Sequence, residues 1–219
     1  MAKLIDTLAG IRVLEERESK INGKLTVVKD LAWGVHIKAG GLTQSGGVVI
    51  GVWKTTLRKI SQLHHTPIKK VLILGLGGGT IAQVISKKWP EASIVGVDLD
   101  RDFVELGKKY LQLDELNVEA IIEDGIAYCK KAIKAGNKFD LIFVDMYQGD
   151  LLPEEFDSQE FIEMTKSLLI DDGLVIFNRL FYGEKRLAAY RFLRKLEKIY
   201  PIVDPLYPEA NVMFICGKK

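Results

Sequence analysis

Residues 71–84, VLILGLGGGTIAQV, narrow most sharply what this chain can fold into. A run of four apolar residues, too short for a helix, enters a turn with four glycines in five positions, and an amphipathic pattern starts directly behind it. Strand, tight turn and helix in immediate succession open a βαβ unit, which commits the chain to parallel strands joined by crossover helices. The pattern then repeats. SIVGV (93–97), VEAII (118–122), FDLIFV (139–144) and GLVIF (173–177) have the unbroken apolar character of strands buried on both faces. Helical spacing separates them: Ile81, Val84, Ile85 and Trp89 as far as Pro90; Phe103, Leu106, Tyr110 and Leu111; a stretch over 156–169; and Leu187, Tyr190, Leu193, Leu196 and Tyr200, closed by Pro201. This alternation predicts an α/β fold with a doubly wound, mostly parallel Rossmann-like sheet. NVMFICGKK adds a final strand after the loop PIVDPLYPEA.

The first 60 residues obey another rule. RVLEERES, GKLTVVKD and GVHIKAGG alternate apolar and polar residues, with Asn22-Gly23 and Gly40-Gly41 as turn signals. The expected division is a small antiparallel β-hairpin domain over 1–47 and the Rossmann-like domain over 48–219, opening with a helix over 48–64.

Charge excludes some function classes. Lys and Arg number 31 against 29 Asp and Glu, so nothing draws the chain to nucleic acid, and the paired lysines read as solvated faces. Cys129 and Cys216 form neither a ligand set nor a disulfide framework. The first twenty residues carry charges throughout, and no stretch approaches the roughly 18 apolar residues of a membrane span. The expectation is a cytoplasmic protein without membrane association.

Open α/β sheets bind ligands beyond the carboxyl ends of their strands, so the residues directly after each strand are the candidate ligand contacts. The first strand delivers Gly75, Gly77, Gly78 and Gly79, whose turn lets a ligand approach the backbone and the free amides of a helix start. The second delivers Asp98, able to accept both hydroxyls of a ribose. The third delivers Glu123-Asp124-Gly125, where an acid can receive an adenine amino group, and the fourth delivers Asp145. Singly, each residue also fits a duller role. Asp98 and Asp100 both precede a helix, and Asp100 suits its N-cap; Asp124 is placed to cap the next helix. A dinucleotide fingerprint, G-x-G-x-x-G, would require glycine at Thr80. The four strand ends together point to an adenosyl ligand.

These residues carry a resemblance to the class I S-adenosylmethionine-dependent methyltransferase fold, and more narrowly to the spermidine synthase group. ESKINGKLTVV and AGGLTQSG resemble that group's N-terminal hairpins, VLILGLGGGT its glycine-rich motif, VGVDLD its ribose-binding segment and IIEDGIAYCK its G-D-G segment. FDLIFVDMYQGD resembles its D-x-x-x-D-P region and YPEANVMFICGKK its closing strand. The resemblance implies S-adenosylmethionine or its decarboxylated form as cofactor, held by Gln44, Gly75, Gly77, Gly79, Asp98, Leu99, Asp124 and Gly125. It further implies Asp145 as the catalytic group, a small-molecule acceptor and a homodimer. The pattern also breaks. Where the family has an acid in the glycine loop this chain has Gly78; where a second acid follows the fourth-strand Asp it has Gln148; and SGGVVIGVWK replaces D-E-x-x-Y-H-E. Asp150, Glu154 and Glu155 lie nearby at a different spacing.

An amine acceptor with two cationic ends needs carboxylates in a desolvated pocket, whereas methyl transfer demands mainly alignment and exclusion of water. Methyl transfer to a small acceptor is therefore the leading expectation, with Trp53, Tyr147 and Tyr182 available to line the acceptor side. The alternatives are aminopropyl transfer to a polyamine, a non-catalytic adenosyl-binding protein and, last, an NAD-dependent oxidoreductase. No metal site is expected: His64 and His65 are adjacent and diverge on a helix, and His36 has no evident partner. Cys129 reads as core.

Overall fold

The computed structural model describes residues 10–64 and 66–218. The beginning of the segment read for a leader (residues 1–9) and His65 of the histidine pair lie outside that range. Four antiparallel strands come first: β1 (Arg12–Ser19), β2 (Gly23–Asp30), β3 (Gly34–Ala39) and β4 (Leu42–Gly46), paired in chain order. Helix α1 (Val49–Leu63) leads into a seven-stranded sheet built from β5 (Lys70–Leu74), β6 (Ser93–Asp98), β7 (Val118–Ile122), β8 (Phe139–Val144), β9 (Leu169–Leu180), β10 (Ile202–Leu206) and β11 (Asn211–Gly217). Its order is β10-β11-β9-β8-β5-β6-β7; β7, β6, β5, β8 and β9 run parallel, and β11 lies antiparallel between β9 and β10. The connecting helices are α2 (Thr80–Lys88), α3 (Arg101–Leu111), α4 (Gly125–Lys134), α5 (Gln159–Leu168) and α6 (Lys185–Ile199). An α/β fold with a mostly parallel sheet and a separate N-terminal antiparallel sheet is thus present.

Period-two alternation assigns the strands' side chains to two cores. Leu72, Leu74, Ile142, Val144, Val175 and Phe177 pack with α4, α5 and α6 on one face. Val71, Ile73, Leu141, Phe143 and Ile176 pack with α1 and α2 on the other. The hairpin sheet has its own cluster, in which Leu25, Val27, Ile37 and Ala39 meet Phe103, Leu106 and Leu111 of α3. No helix among the described residues is long and apolar enough to cross a membrane.

Two expected elements differ. The helix expected over 156–169 starts later: Glu154–Asp157 make a 3-10 turn, and the extended Ser158 accepts the Phe161 amide as the N-cap of α5. A serine positioned to cap outweighed the apolar spacing that had extended the helix upstream. Part of the expected loop PIVDPLYPEA is strand β10, with Pro205 inside it. Proline is tolerated there because β10 is an edge strand and needs no donor on its outer side.

Candidate functional site

The strand order changes direction at β5 and β8, and there the carboxyl ends open on a cleft. The Asp145 amide donates to the Leu74 carbonyl at 2.8 Å, so the two strands stay paired up to the cleft. Gly75 leaves β5 at φ 90°, and a Cβ there would run into the Asp145 carbonyl. Only glycine lets the chain turn off the strand at that point. The Gly75 and Leu76 amides both donate to Val97 O, which ties the loop to β6.

Asp98 braces the same loop. Its Oδ2 accepts the Gly77 amide at 2.6 Å and its Oδ1 the Asp100 amide at 2.8 Å. Burial pushes its carboxyl up to about 6 against the pull of those two amides. A carboxylate has about four lone-pair sites, so each Asp98 oxygen can still accept a ligand hydroxyl. Leu99 beside it is 44% exposed on the cleft wall. Asp100 is the N-cap of α3, as its spacing suggested. Asp124 faces the cleft and also caps α4, its Oδ1 accepting the Ala127 amide at 2.8 Å. The buried Gly125 next to it also lines the cleft, and its lack of a side chain makes room for Met146.

Asp145 stands at the base of the cleft, where burial raises its carboxyl to about 6. Asn178, from the end of β9, donates to its Oδ1 at 2.8 Å, and Asn211 donates to the Asn178 Oδ1 at 2.8 Å. Asn178 comes directly after GLVIF, so the strand-end rule extended to that fifth strand would have found it; Asn211 left no such signal.

The hairpin sheet supplies a further wall. Ile21 and Asn22, in the β1–β2 turn, line the cleft, and Asn22 and Ser19 donate to Asp100 Oδ2. Ser45 accepts the Gly78 amide at 2.9 Å, and Thr80 accepts the Gly46 amide at 2.7 Å. Gln44 lines the cleft and donates to Gly149 O at 2.9 Å, so its amide holds the loop after β8.

Several expected positions fall elsewhere. Gly79 lies behind the cleft wall, at φ 88° against Leu113, with its amide closed onto Leu76 O. Gly78 is buried, and a Cβ on it would meet Ser45, Ile37 and Leu111 at 2.9–3.0 Å. An acid at that position would point at the hairpin sheet, so its absence removes less from the cleft than the sequence suggested. Glu155 lines the cleft, whereas Asp150 and Glu154 line a second cavity behind the loop. Trp53 is in the cleft and packs edge-on against Phe143. Tyr147 is there too, its hydroxyl accepting the Leu180 amide at 2.9 Å, but the exposed Tyr182 is not. His36 is buried with its Nδ1 3.7 Å from Asp30, a partner missed in the sequence. His64 caps the end of α1. Cys129 is wholly buried, and burial pushes its thiol up to about 12, too high for a nucleophile. Among the described residues no cluster of three or more His, Cys, Asp and Glu is arranged to hold a metal.

The cleft's charge is one-sided. Asp98, Asp124, Asp145 and Glu155 line it, and no Lys, Arg or His is among its lining residues. Such a cavity favours a cationic ligand.

Residues 52–217 match the family described as the spermine/spermidine synthase domain. The chain is 32% identical over 155 residues to a polyamine aminopropyltransferase of Pyrobaculum islandicum, covering 65% of this chain and 52% of that protein. It is 37% identical over 152 residues to the polyamine aminopropyltransferase of Pyrobaculum aerophilum, covering 64% and 50%. The chain thus spans about half the length of these curated relatives. Among solved structures it is similar to spermidine synthase from Thermotoga maritima, at a TM-score of 0.75 and 21% identity over 95% of this chain and 73% of that one. Human methyltransferase-like protein 13 in complex with SAH is also similar, at 0.63 and 23% over 78% and 80%. At these identities the structural likeness speaks for the fold alone.

Proposed function

Because the chain belongs to the spermine/spermidine synthase family, we propose that it transfers an aminopropyl group from decarboxylated S-adenosylmethionine to an amine acceptor. The relatives named above support this reading over the methyl transfer expected from the sequence. The observation that carries it is the cleft's charge: four carboxylates and, among the lining residues, no cationic side chain. S-adenosylmethionine itself brings an α-carboxylate that would meet only like charge there. The decarboxylated form brings a sulfonium and an ammonium, both suited to an acidic wall.

The residues divide the work. Asp98 is placed to accept the ribose hydroxyls while it holds the Gly77 amide, with Leu99 offering apolar surface beside the base and Asp124 a second polar contact. Bound in this cleft, the decarboxylated cofactor supplies a sulfonium-activated carbon, so that an attacking amine forms a C–N bond as the C–S bond breaks and neutral methylthioadenosine leaves. Asp145 takes the proton released by that amine; a carboxylate titrating near 6 is ionised at neutral pH and is a stronger base than an ordinary Asp. Glu155, at the cleft mouth, serves as counter-ion for a distant cationic end of the acceptor. Gln148 and, from SGGVVIGVWK, Ser45 and Trp53 line the cleft, so these departures from the family pattern would act on acceptor length and charge.

Calorimetry with decarboxylated S-adenosylmethionine, S-adenosylmethionine, methylthioadenosine and NAD tests the reading, together with incubation of the decarboxylated form with a series of diamines and polyamines. Preference for the decarboxylated form and release of methylthioadenosine with an amine are expected. Preference for S-adenosylmethionine would restore methyl transfer, and ligand binding without turnover on any amine would leave a non-catalytic adenosyl-binding protein.

A further inference from the structure

Behind the loop after β8 lies a second cavity of mixed charge, where Arg179, Lys185, Arg191 and Lys195 stand with Asp150, Glu154 and Asp157; it is bounded by that loop, the end of β9 and α6. Its inner wall is Arg179, 4% exposed. The guanidinium donates to two backbone carbonyls, Asn178 O at 2.8 Å and Phe156 O at 3.2 Å, and lies 3.7 Å from the centre of the Phe192 ring. Its Nε is the sole buried side-chain N or O without a hydrogen-bond partner among the described residues, and no carboxylate among them lies within salt-bridge distance of it. Asp157 and Asp145 act on it only from beyond that distance, so this buried cation bears the cost of lost hydration without a directly paired carboxylate. Of the other cations on the cavity wall, Lys185 is paired with Asp150 and Lys195 with Asp157. Arg191, exposed on α6, has no carboxylate partner among the described residues. Two arginines without a carboxylate in salt-bridge contact therefore share one cavity, Arg179 buried and Arg191 exposed.

We propose that this cavity is a binding site for a small oxyanion, phosphate or carboxylate, held between Arg179 and Arg191. Guanidinium groups suit planar or tetrahedral oxyanions because their N–H donors form a fixed fork. Tyr147 lines both this cavity and the acidic cleft, and Asp157, which ends the intervening loop, is held by Lys195. An anion seated there stabilises the loop that forms the outer wall of the cleft. This inference does not depend on which group the cleft transfers.

The test is thermal unfolding and calorimetry of the full chain in sodium phosphate and in sodium succinate, each against sodium chloride at equal ionic strength. A ligand that binds only the folded state raises the melting temperature with its concentration. Saturable binding of one anion is expected, with affinity reduced at least about tenfold in Arg191→Ala, as expected for loss of a charge-assisted contact; phosphate and succinate arms identify which oxyanion is preferred. Arg179→Met should abolish binding. Should that variant fail to fold, Arg191→Ala decides, since its side chain is exposed and no packing depends on it. Absence of saturable binding to the wild-type chain, or equal shifts in wild type and Arg191→Ala, would overturn the site.

Discussion

A carboxylate at the bottom of a cleft is held in tension between its environment and its chemistry, and Asp145 shows both sides. Burial raises its carboxyl to about 6, while the Asn178 hydrogen bond opposes the rise by favouring the charged form. In the unfolded chain an Asp titrates near ~3.9. The folded state therefore binds this proton more tightly, and the group's contribution to stability falls as pH rises from about 4 to about 6. Above that window the full cost of a buried charge is present. Asp145→Asn removes the charge while still offering an oxygen to Asn178. It should raise unfolding free energy at pH 7.5 on the order of 1–3 kcal/mol, with the gain gone below pH 4, and lower turnover by about a hundredfold or more. Urea unfolding at the two pH values and a methylthioadenosine-release assay measure the pair. Equal stabilisation at both pH values would refute the electrostatic cause.

At the scale of elements, the glycine turn makes the clearest demand. Gly75 and Gly136 both have positive φ, but a Cβ at Gly136 would meet open space while one at Gly75 would enter the Asp145 carbonyl. Gly136→Ala should cost about 1 kcal/mol, the strain of the left-handed region alone. Gly75→Ala should cost more than about 3 kcal/mol, because β5 and β8 must separate to admit it, and adenosyl-ligand affinity should fall with it. Chemical denaturation compares the two variants, and similar costs would mean the strand ends yield easily. The same turn shows how much was legible. Strand β5, its turn and α2 are readable from VLILGLGGGTIAQV because local pattern and buried environment agree there. The start of α5 and the strand β10 were not: the first hinged on a single serine cap, the second on edge position, which only the assembled sheet defines. In the site, Asp98, Asp124 and Asp145 were readable as strand-end residues. Arg179 and Asn211 were not, because their roles arise from elements brought together across the sheet, and Gly78 misled because its direction depends on the hairpin packed above it.

At the scale of the whole molecule, the walls of the cleft come from two sheets, so the way the sheets are joined decides whether the cleft exists. Exposed ion pairs, such as Arg17 with Glu105 and Lys109 with Glu15, span the junction, but pairs of this kind contribute little, roughly 0–1 kcal/mol each. The junction rests instead on the apolar cluster of β2, β3 and α3, with the Ser19, Asn22 and Ser45 hydrogen bonds fixing its orientation over the glycine turn. Ile37 is wholly buried in that cluster and touches the space above Gly78. Ile37→Ala should cost about 2–4 kcal/mol, the range for a large-to-small core change. If residues 1–47 form a unit distinct from the parallel sheet, the cost will be local: amides of β2 and β3 should exchange faster by the corresponding factor, while those of β5 and β8 keep wild-type protection. Adenosyl-ligand affinity should then fall through loss of the Asn22 and Gln44 wall, with β5 and β8 unchanged. Hydrogen exchange resolved by peptide reads all of these strands in one experiment. Uniform acceleration across both sheets would show instead that the hairpins and the parallel sheet unfold as one body.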